Sequence, residues 1–139
     1  MASTVPFKLI TPRRVVFEGD ASLVIAVTTE GEEGILPHHA PFLAALKPGV
    51  LRANVGEGSG ETRLEVATGE GFMQALPDRV TVLVDEALHF DDIDVVRARE
   101  ELAEATERQR SAGADRHAFA REQSTIEFAN AKLRLTGHH

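Results

Sequence analysis

Cysteine, tryptophan and tyrosine are absent from the 139 residues. Without cysteine there is no disulfide framework, no thiolate metal site and no thiol nucleophile. Phenylalanine, with seven copies, is the only aromatic, so a core has to come mostly from Val, Leu, Ile and Ala. No apolar run approaches the ~20 residues that cross a bilayer as a helix. The N-terminal MASTVPFKLI lacks the pattern of a secretory signal. A cytosolic chain is expected, reaching a membrane only through a partner. Basic charge is also short: 15 Lys and Arg against 22 Asp and Glu leave a net charge of −7, the wrong sign for a nucleic-acid face. A Gly-rich phosphate loop before a helix, a G-x-S-x-G elbow and a recognisable histidine acid–base arrangement are missing too. No catalytic residue is assigned, and the chain is not expected to be an enzyme.

What is present is concentrated in Thr29–Leu51, TEGEEGILPHHAPFLAALKPGVL. Glu30-Gly31 and Glu33-Gly34 each supply a residue that tolerates positive φ. Ile35-Leu36 is stopped by Pro37, Phe42–Leu46 follows Pro41, and Lys47-Pro48-Gly49 has the order of a type II turn. Such punctuation suits short strands joined by tight corners. The same texture extends from Phe7 to Val84. Phe7–Thr11 and Val15–Glu18 are short runs, with a turn expected at Gly19-Asp20. Ser22–Thr28 is apolar on both faces, as in a strand covered on both sides. Val50–Val55 and Thr62–Thr68 flank Gly56–Gly60, which reads as a hairpin tip rather than a phosphate cradle. Phe72–Leu76 and the alternating Val80, Val82 and Val84 flank a two-residue Pro77-Asp78 turn. About nine or ten strands are expected, arranged as a β-sandwich.

Beyond Asp85 the texture changes. From Asp91 to Leu135 there is no proline and one glycine, Gly113, and Ala, Glu and Arg dominate. Asp91 or Asp92 is placed to cap a first helix, and Asp115 a second. Val95, Ala98, Leu102 and Ala105 recur along one narrow seam, and Phe119, Ile126 and Leu133 recur every seven residues, their face extended by Phe128, Ala131 and Leu135. The fold class is therefore α+β: an N-terminal antiparallel β-sandwich of about ten strands over residues 1–86, then an antiparallel two-helix hairpin over 87–139. An alanine-rich seam buries little area, so the hairpin is marginal alone and needs a partner surface.

The run EGEEGILPHHAPFLAALKPGVLR closely resembles the signature of the epsilon subunit of bacterial and chloroplast-type rotary ATP synthases. GEGFMQALPDRVTVLVDEA is similar to that family's closing hairpin, and DDIDVVRA to the start of its helical hairpin. The resemblance runs from Phe7 to about Leu135. It implies a non-catalytic central-stalk subunit of a proton-translocating F-type ATP synthase, peripheral on the cytoplasmic face of the bacterial inner membrane. The sandwich would bind the gamma subunit and touch the c-ring, with His38, His39, Ala40, Pro41 and Phe42 on the contact surface. The hairpin would move between a folded and an extended position. When extended it would reach the alpha and beta subunits through Arg116, Arg121, Lys132 and Arg134 and restrain ATP hydrolysis.

Ile93, Asp94, Arg97 and Ala98 match the family's I/L-D-x-x-R-A motif, which in some members binds one regulatory ATP between hairpin and sandwich; no cofactor is otherwise required. Asp94 and Arg97 share one helical face, and the plainer reading is that they pair and stabilise the first turn. The second helix departs from the family pattern, with Glu127 and Ala131 at the spacings of its arginines and Arg121 and Arg134 displaced. Asp85, Glu86, Asp91, Asp92 and Asp94 do not have the spacing of a calcium loop and read as capping and solvation. The adjacent His38 and His39 lack convergent co-ligands for a metal. His138-His139 read as a solvated tail or an added remnant. The alternative from another class is a free-standing ligand-binding β-sandwich whose hairpin dimerises it.

Overall fold

The computed structural model describes residues 3–56 and 58–138. Nine strands are present among them: β1 (Val5–Ile10), β2 (Val15–Thr28), β3 (Gly31–Ile35), β4 (Phe42–Leu46), β5 (Gly49–Val55), β6 (Thr62–Thr68), β7 (Gly71–Leu76), β8 (Arg79–Val84) and β9 (Ala87–His89). Two helices follow, α1 (Val95–Ser111) and α2 (Arg116–Thr136). The hydrogen-bonded order is β1-β8-β7-β4-β2-β5-β6-β9, with β3 on β2 and a further β1–β2 ladder that closes the first five strands into a ring. The fold is α+β, with a β-sandwich followed by a helical hairpin. Its ninth strand lies after residue 86 and pairs with β6 through Val66↔His89.

Several expectations are corrected. The chain does not turn at Gly19-Asp20: β2 runs unbroken for 14 residues, which merges two expected strands and lowers the count. Gly19 lies opposite Phe7 in the ladder, and a Cβ there would come within 2.9 Å of the Phe17 ring. The glycine makes room for the Phe7–Phe17 pair, whose rings are 5.6 Å apart. The β1–β8 ladder is parallel. Its strands are distant in sequence, so no hairpin dictates their direction. Lys47-Pro48-Gly49 is not a type II turn, because Gly49 does not adopt positive φ; neither does Gly34, which lies within β3. Gly49 is needed for close approach instead, since a Cβ would meet Val27 Cγ2 at 2.6 Å. Gly31 does use positive φ, at 115°. The expected hairpin tip at Gly56–Gly60 joins β5 to β6, with Glu57 outside the described residues.

The main core lies between the layers. Phe7, Leu9, Val24, Ile35, Leu51, Val66, Met73 and Val80 are fully buried, each contributing roughly 1.5–3 kcal/mol. A second cluster lies on the other side of the sheet, where Ala67 meets Phe128 and Ala131 of α2, flanked by Val50, Leu88, Ile93 and Leu135. The carboxylate of Asp94 accepts the Arg97 amide at 3.1 Å and caps α1. Asp91 and Asp92 instead occupy a short 3-10 turn before it, so neither is the cap. Asp115 caps α2 through the Ala118 amide at 3.0 Å.

The apolar residues of α2 form two stripes rather than one. Phe128, Ala131 and Leu135 face the sheet. Ala129 and Leu133 are buried outside both sheet clusters, as are Ala98 and Ala105 of α1, and these four form the helix–helix seam. Phe119 belongs to neither stripe and is 50% exposed.

Candidate functional site

The outward face of β4, β7, β8 and β1 carries an apolar row. Register places Phe72 between Ala45 and Leu83, and Leu83 beside Ile10. Leu43 stands two residues along on the same face of β4. Leu43 is 72% exposed, Phe72 57% and Leu83 43%. A lone exposed leucine needs no explanation, but a continuous row across neighbouring strands marks a contact surface. Sequence reading assigned no site here. The signal was parity: Phe72 and Leu83 alternate out of phase with the buried Met73, Ala75, Val82 and Val84.

The loop before β4 is contiguous with this face. His38 holds φ at 65°, which reverses the chain without a glycine. His39 Nδ1 is 2.7 Å from the Ala40 carbonyl, and because a carbonyl only accepts, that nitrogen carries the proton. The same ring meets Phe42 edge-on at 6.0 Å. Ala40 and Pro41 are exposed, while Phe42 turns inward and leaves Leu43 outside. The structure thus brings His38, His39, Ala40, Pro41 and Phe42 together in one corner beside the apolar row.

Polar ties hold the hairpin. Lys132 Nζ donates to Glu101 at 2.7 Å and lies 4.7 Å from the centre of the Phe128 ring. Arg108 donates to the buried Glu122 at 3.0 Å. Gln109 reaches Gln123 at 2.7 Å. Among the described residues one ion pair crosses from body to hairpin: Lys47 in the β4–β5 turn meets Glu127 on α2 at 2.9 Å. Arg116, Arg121 and Arg134 are exposed along α2. Lys132 departs from the expected set of available cations, since only 7% of it is exposed and Glu101 already holds its ammonium group.

In this arrangement Ile93, Asp94, Arg97 and Ala98 do not converge on one cavity. Asp94 and Arg97 do not pair through their side chains as the plainer reading had it; the carboxylate takes the Arg97 backbone amide and leaves the guanidinium in solvent. Ala98 is buried in the helix seam and Ile93 lies against the α2 dock. Among the described residues, a polar cavity of about 130 Å³ between the sheet and the hairpin is lined by Asp85, Glu86, Glu101 and a single cation, Lys132, and not by Ile93, Asp94, Arg97 or Ala98. It is smaller than the ~300 Å³ at which ligand pockets begin. Glu127 and Ala131, at the spacings of the family's arginines, are taken by Lys47 and Ala67. Beside this cavity, burial holds the Asp85 carboxyl above the ordinary carboxylate range, with the nearby Glu70 adding to the shift.

Residues 4–90 match the β-sandwich domain of the ATP synthase delta/epsilon chain. The chain is 38% identical over 135 residues to the ATP synthase epsilon chain of Syntrophobacter fumaroxidans, covering 97% of each. It is 39% identical over 132 residues to that of Moorella thermoacetica, covering 94% of each. Among solved structures, a chain of the Euglena gracilis mitochondrial ATP synthase OSCP/F1/c-ring assembly superposes with a TM-score of 0.77 at 20% identity, over 97% of this chain and 82% of that one. A chain of the Tetrahymena thermophila mitochondrial ATP synthase central stalk and c-ring gives 0.61 at 17% identity, over 96% and 97%. These two likenesses are of fold. Matched from residue 4 to residue 90 by the sandwich domain and along nearly its whole length by bacterial relatives, the chain belongs to the ATP synthase epsilon-chain family.

Proposed function

We propose that this chain is a non-catalytic rotor subunit in the central stalk of a proton-translocating F-type ATP synthase, anchored by its sandwich and regulatory through its hairpin. The apolar row of Ala45, Phe72, Leu83 and Ile10 carries the reading. It is a continuous exposed apolar feature on paired strands, and burying it against the gamma subunit removes it from water. The corner at His38–Phe42 continues the row and is the surface assigned to the c-ring. That contact makes the chain peripheral on the cytoplasmic face of the inner membrane; no described helix is long and apolar enough to cross one. Docking ties rotation of the ring to the stalk and so helps couple proton flow to ATP synthesis. The hairpin has two resting places, on the sheet as here or extended towards the alpha and beta subunits. In the extended position the exposed Arg116, Arg121 and Arg134 meet acidic residues and restrain hydrolysis; Lys132 joins them only after leaving Glu101. The sandwich, which runs through β9 to His89 and so past the expected boundary at residue 86, then anchors, and α1 and α2 regulate.

The test is reconstitution of an epsilon-depleted ATPase. Phe72→Asp should weaken gamma binding by at least tenfold, since it loses roughly 1.5–3 kcal/mol of burial and adds an unpaired charge to the contact. The side chain points away from the core, so thermal stability should be nearly unchanged. Unaltered gamma binding in a folded Phe72→Asp protein would refute the assigned face. Restraint of hydrolysis that survives removal of the hairpin would refute its regulatory role.

A further inference from the structure

The hairpin is held to the body by an apolar patch and a single ion pair. Phe128, Ala131 and Leu135 rest on Val50, Ala67 and Leu88. Such a contact is non-directional and lets a helix slide or lift with little preference for register. Helix α1 adds little to it, because its extensive contacts are with α2 alone. Among the described residues, Lys47–Glu127 is the only ion pair between body and hairpin, and no other side-chain hydrogen bond joins the strands to α1 or α2.

We propose that Lys47–Glu127 is an electrostatic catch that sets how much of the hairpin rests on the sheet, with a strength that follows ionic strength. Its base is fixed: the Lys47 amide donates to the Val27 carbonyl at 3.1 Å, and Pro48 beside it is buried. Its other half, Glu127, immediately precedes Phe128 of the apolar dock, so lifting α2 off the sheet parts the pair. The side chains are 43% and 24% exposed, within reach of screening by salt. Lys47 also faces Glu70 and Asp85, which line the same cleft as Glu127. Among the described residues it is the only cation lining that cleft. Removing it leaves three carboxylates facing one another, whereas removing Glu127 still leaves Lys47 with two. The two halves of the catch are therefore unequal, and Lys47 is the more sensitive.

The proposal rests on the reading of the hairpin as mobile, but its test uses the full chain alone, so it can fail while the assigned gamma face stands. The chain has no cysteine. Ala67→Cys therefore places a single thiol under α2, and its alkylation rate by iodoacetamide reads the fraction of time the hairpin is lifted. In that background Glu127→Gln should raise the rate about threefold, the energy of a partly exposed pair converted to a population, and Lys47→Glu, which also sets a fourth carboxylate in the cleft, about tenfold. The double reversal Lys47→Glu with Glu127→Lys keeps the net charge of the cleft and should return the rate to within about twofold of the parent, as an intact pair requires. In 1 M salt, where the screening length is about 3 Å, the differences should collapse. Far-ultraviolet circular dichroism confirms that each variant is folded. Equal rates in all variants, a double reversal as fast as the single changes, or differences that persist in 1 M salt would each overturn the catch. A thiol that never reacts in any of them would do so as well, since a hairpin that never lifts needs no catch.

Discussion

Truncating Phe128 to alanine separates the hairpin dock from the stability of the body. The ring is buried, yet it belongs to the small cluster with Ala67 and Ala131 and not to the main core. An aromatic side chain removes about 150 Å² or more from water, which at about 25 cal/mol per Å² is close to 4 kcal/mol. Part of that remains because Ala, Leu135 and Ile93 still cover the patch, so a loss of about 3 kcal/mol is expected, at the low end for buried Phe→Ala changes. Because 1.4 kcal/mol is a factor of ten, the ratio of docked to lifted hairpin should fall by roughly a hundredfold. Lys132 also loses the ring beneath its ammonium group, which loosens the Glu101 tie in the helix seam. The assay is thiol reactivity at Ala67→Cys together with thermal unfolding of the strands. Reactivity should rise by about that factor while the melting of the sheet stays nearly constant. The control is Phe7→Ala, which removes the same atoms from the main core beside Phe17 and should lower the melting temperature of the whole body by 10 °C or more. If Phe128→Ala lowered the sheet's melting as much as Phe7→Ala does, strands and hairpin would form one cooperative core and the division between anchor and regulator would be wrong.

Two further outcomes follow from local geometry. Gly49→Ala should destabilise the body by about 1–3 kcal/mol, as overpacking does, because the new methyl would press on Val27. A urea midpoint equal to the parent's would show that the approach of β5 to β2 can relax. Asp85→Asn should raise stability near pH 7, because burial and Glu70 hold the folded carboxyl above its ordinary range and so penalise its charged form. A raised carboxyl binds its proton more tightly in the folded state than in the unfolded one. The penalty is therefore present at neutral pH and fades as pH falls through the raised value, and the advantage of asparagine should shrink with it. Urea midpoints at pH 7 and pH 4 check this; an advantage larger in acid would reverse the assignment.

Much of the sheet was legible because alternation and turn residues act locally. Thr62–Thr68, the Pro77-Asp78 connection and the valines at 80, 82 and 84 follow from period-two patterning and a two-residue corner, and they are strands and turns in the structure. Glycine was the ambiguous signal. Gly19 and Gly49 read as turn formers, but both serve close approach, to Phe17 and to Val27, and a sequence does not display the neighbour that requires a missing Cβ. Conversely, His38 adopts positive φ where no glycine advertises it. The caps were partly legible. Asp115 is where a helix signal puts it, but among Asp91, Asp92 and Asp94 the choice depended on the 3-10 turn that occupies the first two. Of the residues assigned to partners, the corner from His38 to Phe42 is assembled as one surface, while Lys132 is drawn into the seam by Glu101, a residue 31 positions away.

By itself, the sequence determined the division of this protein into a punctuated, valine-rich half and a proline-free, alanine-rich half, because propensity, alternation and capping operate over a few residues. It also carried the resemblance to epsilon chains, in short motifs whose order survives without any knowledge of contacts. Only the tertiary structure decided that β1 closes onto β8, that Phe72 and Leu83 look outward in one row, and that α2 divides its apolar residues between the sheet and α1. It alone joined Lys47 to Glu127, 80 positions apart in the chain. Those outcomes depend on which surfaces meet, and burial is a property of pairs of surfaces that no single stretch of chain contains.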